Sequence, residues 1–269
     1  MQQSLLIVGF VLMVSAIRCQ STQFKQLSDI KVSVRWMEVD KMQQLYLIKD
    51  EHSLQKFSKE GGLLYEYNEN SLGSIGFVDV SNPFRLMVFY QDFATLVFLD
   101  RTLSEISRLD LSEFDIAQAQ AFATASDNNI WFFDNNSYTL KKISSQNELL
   151  LESQDMNLLL PEDINANRLV ESGNRVYLNA PEVGLLVFDI FGNYIKTIDI
   201  KDLDYFQVYE GQLFYVKDKK FNSYHLFSFL ESSLALPMLR ENKRQVCISQ
   251  ELIFIRYPDN IEIYAVLKK

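Results

Sequence analysis

The sequence predicts an all-β fold, and three observations carry that expectation. Apolar strands separated by polar turns recur at intervals of roughly forty residues, with Leu45, Leu86, Ile130, Val176, Leu213 and Leu252 at equivalent places in successive units. Each unit is made only of short strands, which is the mark of a β-propeller blade. The sixth unit runs out of chain one strand early, and a strand-like segment stands unused before the first. Together these predict a six-bladed β-propeller whose ring is closed by the N-terminal strand.

Along the chain, blade one reads Ile30–Asp40, Gln44–Asp50, Leu54–Ser58 and Leu63–Tyr67. The alternation of Val32, Val34 and Trp36 gives a half-buried strand of period two, and Lys59-Glu60-Gly61-Gly62 makes the outer turn. Blade two runs from Ile75 to Leu111, with strands expected at Phe84–Tyr90, Thr95–Leu99 and Leu103–Leu109. Blade three covers Ala117 to Leu151 and turns at Asp134-Asn135-Asn136 after Ile130–Phe133. Blade four, Ala166 to Ile200, is the most regular: Arg175–Leu178, Gly184–Asp189, the turn Ile190-Phe191-Gly192-Asn193, then Tyr194–Ile200. Blade five spans Tyr205 to Leu236. Blade six begins near Gln245 and continues through Leu252–Tyr257 and Ile261–Val266, which is three strands where the others have four. An unpaired sheet edge invites aggregation, so Thr22–Leu27 is the expected donor of the missing strand. The alternative is an unclosed last blade.

The run from Leu185 to Ile200, LLVFDIFGNYIKTIDI, resembles repeats of the six-bladed NHL and YWTD-type propellers. There a third strand ending in Asp leads through a Gly turn into an apolar fourth strand. Leu96–Asp100 and Gln55–Gly61 are partial echoes. No literal YWTD tetrapeptide occurs, and no Trp-Asp dipeptide supports a seven-bladed reading. The resemblance implies architecture; it transfers no functional residue, because propellers host unrelated functions.

Residues 1–19 read as a signal peptide and 20–269 as one domain. Leu5–Ile17 carries no charge, and Arg18 is the only charged side chain before Lys25. A spanning helix needs about 20 apolar residues, so this shorter run fits the h-region of a leader. The leader lacks an n-region Lys or Arg, and cleavage is expected near Cys19–Gln20. Cys19 also leaves a lipoprotein signal open, although Arg18 is large for the residue before a lipidated cysteine. A periplasmic, outer-membrane-associated or secreted location follows, with no transmembrane span in the mature chain and peripheral membrane association allowed. If Cys19 leaves with the leader, Cys247 stands alone in an apolar run, a buried hydrophobe rather than a reactive thiol.

The formal net charge is −9, and no basic stripe suited to phosphate backbones is present, so nucleic acid is not expected as a partner. Gly-rich phosphate loops are absent. The two histidines, His52 and His225, fall in different blades, which argues against a shared metal site or a Ser-His-Asp triad. No catalytic residue, metal or cofactor is assigned. The coherent signal is acidic. Between-blade connections and second-to-third-strand turns share one face of a propeller; here they carry Asp92, Glu113, Asp115, Asp202 and Asp204, with a basic sector at Arg240 and Lys243. Loop aromatics Phe93, Phe114 and Tyr205 are candidates for contact, since strand aromatics such as Phe98 and Phe188 are core. Leu158-Leu159-Leu160, in the longest connection, must either cap the core or meet a partner. The expected binding face is therefore Asp92, Phe93, Glu113, Phe114, Asp115, Leu158, Leu159, Leu160, Asp202, Asp204, Arg240 and Lys243.

These features favour an exported, non-enzymatic propeller that binds a protein partner, such as a scaffold subunit that caps or supports an outer-membrane or envelope assembly. The alternatives are a hydrolase or lyase using carboxylates at the channel mouth, and a carbohydrate or small-ligand binder, which would need exposed aromatic platforms.

Overall fold

Alternating apolar residues need a sheet face to cover, and six such sheets arranged radially cover one another. The computed structural model describes residues 23–111, 121–160, 164–234, 236, 239–240 and 242–267. It contains six four-stranded antiparallel sheets. Blade one is β2 (Trp36–Val39), β3 (Leu45–Ile48), β4 (Ser53–Phe57) and β5 (Leu63–Asn68); blade two is β6 (Ile75–Asp79), β7 (Leu86–Tyr90), β8 (Thr95–Leu99) and β9 (Glu105–Asp110). Blade three is β10 (Phe122–Thr124), β11 (Ile130–Asp134), β12 (Thr139–Ile143) and β13 (Leu149–Glu152), and blade four is β14 (Arg168–Ser172), β15 (Arg175–Ala180), β16 (Gly184–Asp189) and β17 (Tyr194–Ile198). Blade five is β18 (Phe206–Tyr209), β19 (Gln212–Lys217), β20 (Lys220–His225) and β21 (Glu231–Leu234).

Blade six holds β22 (Gln245–Ser249), β23 (Leu252–Arg256) and β24 (Ile261–Leu267), and its fourth strand is β1 (Gln23–Ile30) from the other end of the chain. The pairing runs from Gln23 opposite Leu267 to Ile30 opposite Ile261, with one bulge between Gln26 and Ser28. The closing strand is longer than the expected Thr22–Leu27. Ile30, assigned to blade one from its alternation with Val32, ends β1 instead; both pack on the same cluster as Met37 and Ile261, so the pattern crosses from blade six into blade one.

The middle strands of each blade are largely buried, and six apolar clusters fill the seams between neighbouring sheets. The third-to-fourth-strand turns show the chemistry behind the repeat. The residue ending the third strand, or following it, folds its side chain over the turn and accepts two backbone N–H groups. Ser58 takes Glu60 and Gly62, Asp100 takes Thr102 and Ser104, Ser144 takes Gln146 and Glu148, and Asp189 takes Phe191 and Asn193. In blade five His225 does this through Nδ1, which accepts from Phe227 and Ser228 at 3.4 and 3.1 Å. A left-handed residue follows in each turn, at Gly61, Leu103, Asn147, Gly192 and Phe229. In blades one to four this is the three-residue hairpin with a bulge, and in blade five the loop is one residue longer, closed by the His225 N–H on the Leu230 carbonyl. It explains why Leu103 sits in a turn rather than in the strand expected from it. Phe84 likewise lies in a turn, its N–H donated to Asn82 Oδ1, and β7 starts two residues later.

One face of the ring, called upper here, carries the between-blade connections and second-to-third-strand turns. The lower face carries the remaining turns and both ends of the described chain, Gln23 and Leu267. Blades one and two also meet away from the channel, where Lys56 Nζ donates to the Arg101 carbonyl across the seam at 2.6 Å.

Candidate functional site

The innermost strands leave a channel, and what lines it decides whether chemistry can happen there. Every seam between blades is closed by a side chain bonded to backbone. Gln245 Nε2 donates to the Met37 carbonyl (2.6 Å), Arg35 to Ile75 (3.1 Å) and Arg168 Nε to Phe206 (3.1 Å). Asp79 accepts the Thr124 N–H, Glu171 the Ser126 N–H, and Gln207 both donates to and accepts from Ile248. Strands too short to reach each other by ladder bonds are thereby tied into one ring.

At the centre stands a buried ion pair. Arg168, at the start of β14, meets Glu38 of β2 with Nη1–Oε1 2.6 Å and Nη2–Oε2 3.2 Å. Glu38 also accepts from Trp36 Nε1 at 2.9 Å and from the Tyr205 hydroxyl at 3.3 Å. The guanidinium lies 4.2 Å from the Tyr205 ring centroid. Burial would push Arg168 down, but the adjacent Glu38 carboxylate outweighs it and holds the guanidinium charged. Burial, with Glu38 next, pushes the Cys247 thiol up to about 12, against the Tyr205 and Gln245 hydrogen bonds to its sulfur. Tyr205 is raised well above its ordinary value by burial and then by Cys247 and Glu38. A cavity of about 120 Å³ lies beside the pair, bounded by Glu38, Asp79, Thr124, Arg168 and Glu171. It widens at the lower mouth into a polar cup of about 460 Å³ lined by Lys41, Asn82, Asn128 and Asn174 among others.

The channel carboxylates are thus committed. Glu38 holds Arg168, Asp79 accepts the Ser81 and Thr124 N–H groups, and Glu171 accepts from Ser126 and Trp131 Nε1. All three line the cavity, and in each case the carboxylate oxygens are engaged in bonds that brace the blades. The histidines are equally local: His52 Nδ1 bonds the Gly73 carbonyl on the upper face, and His225 caps its turn on the lower. Among the described residues no group of three His, Cys, Asp or Glu side chains is placed to hold a metal ion.

On the upper face the leucine triplet divides. Asp155 caps a 3-10 turn, Met156–Leu158; Met156 is fully buried and Leu160 packs on the core between blades three and four. Leu158 is left 82% exposed and Leu159 44%. Phe93, in the second-to-third-strand turn of blade two, is 60% exposed, and Asp92 beside it accepts the Ser74 N–H at 2.6 Å. Asp202 and Asp204 are exposed on the connection from blade four to five. Arg240 is anchored, stacked 3.6 Å over Tyr257 and bonded to Asn260 (2.7 Å) and Glu262 (3.1 Å). Lys243 is buried, its ammonium spent on the Lys219 carbonyl. It therefore ties blades five and six rather than standing at the rim. Glu113, Phe114 and Asp115 lie outside the described residues. Tyr205, read as a surface aromatic, is a channel residue: the apolar Leu203 and Phe206 around it turn the connection inward. Nothing in its local sequence separates it from Phe93.

Sequence reasoning missed a second apolar surface. Phe191, Phe227, Phe229 and Leu230 stand exposed on the outer turns of blades four and five. Phe191 lies in the turn expected for it, but none of the four was among the expected contact residues.

No known family profile matches the chain, and no curated protein sequence is significantly similar to it. Among solved structures, an inactive histidine-to-alanine variant of virginiamycin B lyase from Staphylococcus aureus, bound to quinupristin, superposes with a TM-score of 0.63 at 11% identity, covering 91% of this chain and 100% of that one. The Pan2 WD40 domain of Neurospora crassa gives 0.61 at 10%, covering 91% and 96%. BamB from Moraxella catarrhalis gives 0.56 at 8%, covering 90% and 98%. At such identities the likeness is one of fold: the chain is a six-bladed β-propeller that shares its architecture, over nearly its whole length, with proteins of dissimilar kinds.

Proposed function

We propose that this protein is an exported, non-enzymatic propeller that docks a protein partner on its upper face, as a scaffold subunit of an outer-membrane or envelope assembly. The observation that carries the reading is the Leu158-Leu159 knob. Two adjacent leucines are held out in solvent by a turn whose flanking residues, Met156 and Leu160, are locked into the core. A rigid apolar projection of this kind costs little entropy to bury against a partner. Phe93 adds a second apolar point, and Asp92, Asp202 and Asp204 supply negative rim charges that suit a basic partner surface. The leader-like residues 1–19 support export.

The catalytic alternative draws no support from the channel, whose carboxylates are occupied in holding blades together. In the lyase, the variant with one histidine replaced by alanine is catalytically inactive; His52 and His225 here lie on opposite faces and are each bonded locally.

The test is affinity capture from native envelope extract with wild type and a Leu158→Ser/Leu159→Ser variant. A partner retained by wild type and lost by the variant, with unchanged thermal stability, is the expected result. Recovery of the propeller alone, under conditions that keep other envelope complexes intact, overturns the reading.

A further inference from the structure

Two carboxylates in the channel carry a charge that no cation meets. Glu38 is paired with Arg168. Among the described residues, Asp79 and Glu171 are bonded to neutral donors alone. Asp79 Oδ1 takes the Ser81 N–H and Oδ2 the Thr124 N–H; Glu171 Oε1 takes the Ser126 N–H and Oε2 the Trp131 indole N–H. A carboxylate oxygen can accept twice, so each of these four atoms keeps one acceptor site while it braces the blades.

The backbone of blade three brings the two groups together. Ala125 donates its N–H to Asn129 within its own sheet, so the Thr124 and Ser126 N–H groups on either side turn to the channel instead. Asp79 reaches the first from blade two, and Glu171 reaches the second from blade four. The two anchoring N–H groups lie at most about 7 Å apart, two residues at roughly 3.3 Å each. Thr124 stands on the same edge. It is 8% exposed, it lines both the inner cavity and the cup below it, and its hydroxyl has no partner among the described residues. A buried hydroxyl left without a partner is costly unless something arrives to bond it.

We propose that the channel, entered from its lower mouth, binds the tip of a primary alkylammonium between Asp79, Glu171 and Thr124. An ammonium has three N–H donors, and these are three acceptors, two of them charged. The cavity of about 120 Å³ has the space of roughly four waters, which suits a short unbranched stem and excludes a ring. Val39, Val170 and Val208, half-buried on the same cavity, meet its methylenes. The head of the ligand stays in the cup, where Ser126, Ser172 and Asn174 offer neutral polar groups and Lys41 repels a second cation. The ligand is therefore a chain with one ammonium end, as a free ω-amino acid or a lysine side chain presents. The site lies across the ring from the Leu158 knob on the upper face, so the two surfaces can be tested and can fail separately.

The test is isothermal titration of the purified protein with 6-aminohexanoate and with Nα-acetyl-lysine-N-methylamide, followed also by the indole N–H resonances of its two tryptophans. Saturable binding is expected, with the Trp131 resonance moving more than that of Trp36, since Trp131 donates to Glu171 and Trp36 to the paired Glu38. Tighter binding of the first probe assigns a free amino acid as the source, and tighter binding of the second assigns a peptide lysine. Asp79→Asn/Glu171→Gln, which keeps the shape of both side chains, is expected to weaken binding at least about tenfold. Thr124→Val, which keeps the N–H to Asp79, is expected to weaken it about threefold with an unchanged melting temperature, and it serves alone if the double variant does not fold. No binding of either probe up to about 10 mM overturns the proposal. So does equal binding of hexanoate or of the trimethylammonium analogue, which lack the three donors, or full affinity in Thr124→Val and the carboxylate variant.

Discussion

Removing the Glu38 carboxylate asks how much of the ring's stability rests on one buried ion pair. Glu38 and Arg168 side chains are 9% and 8% exposed and join blades one and four across the channel. Replacing Glu38 with Ala leaves a guanidinium that cannot lose its proton, bonded only to the Phe206 carbonyl and facing three aromatic rings. Breaking a buried pair by deleting one partner typically costs about 3–5 kcal/mol. The neighbouring cavity of about 120 Å³ has room for roughly four waters at about 30 Å³ each, which solvate the stranded charge and bring the expected cost to about 3 kcal/mol. For a chain of this size that lowers the melting temperature by roughly 6–12 °C. Arg168→Met costs less, because Glu38 keeps the Trp36 and Tyr205 donors. The double Glu38→Leu/Arg168→Met variant is expected to recover most of the loss, since the desolvation of both charges disappears with them. Urea melts followed by fluorescence give the measurement, with Trp36 2.9 Å from the deleted carboxylate as reporter. A Glu38→Ala variant within about 0.5 kcal/mol of wild type would defeat this account, because it would mean that the pair sits in water.

Other parts of the molecule make three more expectations. His225→Ala strips the cap from two N–H groups and is expected to cost about 1–2 kcal/mol. His225→Asp, which restores the group found at Asp100 and Asp189, recovers it, as compared by thermal melts; equal melts for Ala and Asp would rule out the capping role. Glu69 is pulled from 4.5 to about 2 by the Ser71 hydroxyl and N–H and then by Arg108. Its folded value is depressed, so its contribution is complete above about pH 4.5 and is lost as pH falls toward 2; Glu69→Gln is expected to flatten the acid limb of the stability curve over that window, and an unchanged limb would count against it. Cys247, with its thiol raised to about 12 by burial, is expected to ignore a thiol reagent at pH 8 until urea unfolds the chain, and prompt labelling of the native protein would contradict the packed channel.

Much of the blade pattern was legible because its causes are local. An Asp or Ser after a third strand, followed three residues later by Gly or Asn, is a turn device complete in itself, and it appears at Asp189-Gly192 and Ser144-Asn147 alike. Leu103 obscured the same device in blade two, since a branched residue at positive φ contradicts its own propensity. Carboxylates in the upper-face turns also have partners of their own: Asp92 accepts the Ser74 N–H, Asp50 and Asp155 accept N–H groups of their own turns, and Asp134 holds Lys141. Spacing registers a carboxylate's position but not which donors it has already found.

Six sheets, their order and the need for the N-terminal strand to finish the last one could be read from the chain alone, because period, turn chemistry and strand count are properties of neighbouring residues. That Arg168 meets Glu38, that Tyr205 faces inward, that Leu160 is core while Leu158 is not, and that Phe229 stands beside Lys196 became visible only in three dimensions. Each of those facts joins residues from different blades or chooses between near-identical neighbours. Closing the ring sets such contacts, since the curvature of the toroid, rather than any stretch of chain, decides which side chains run out of room and which are left facing solvent.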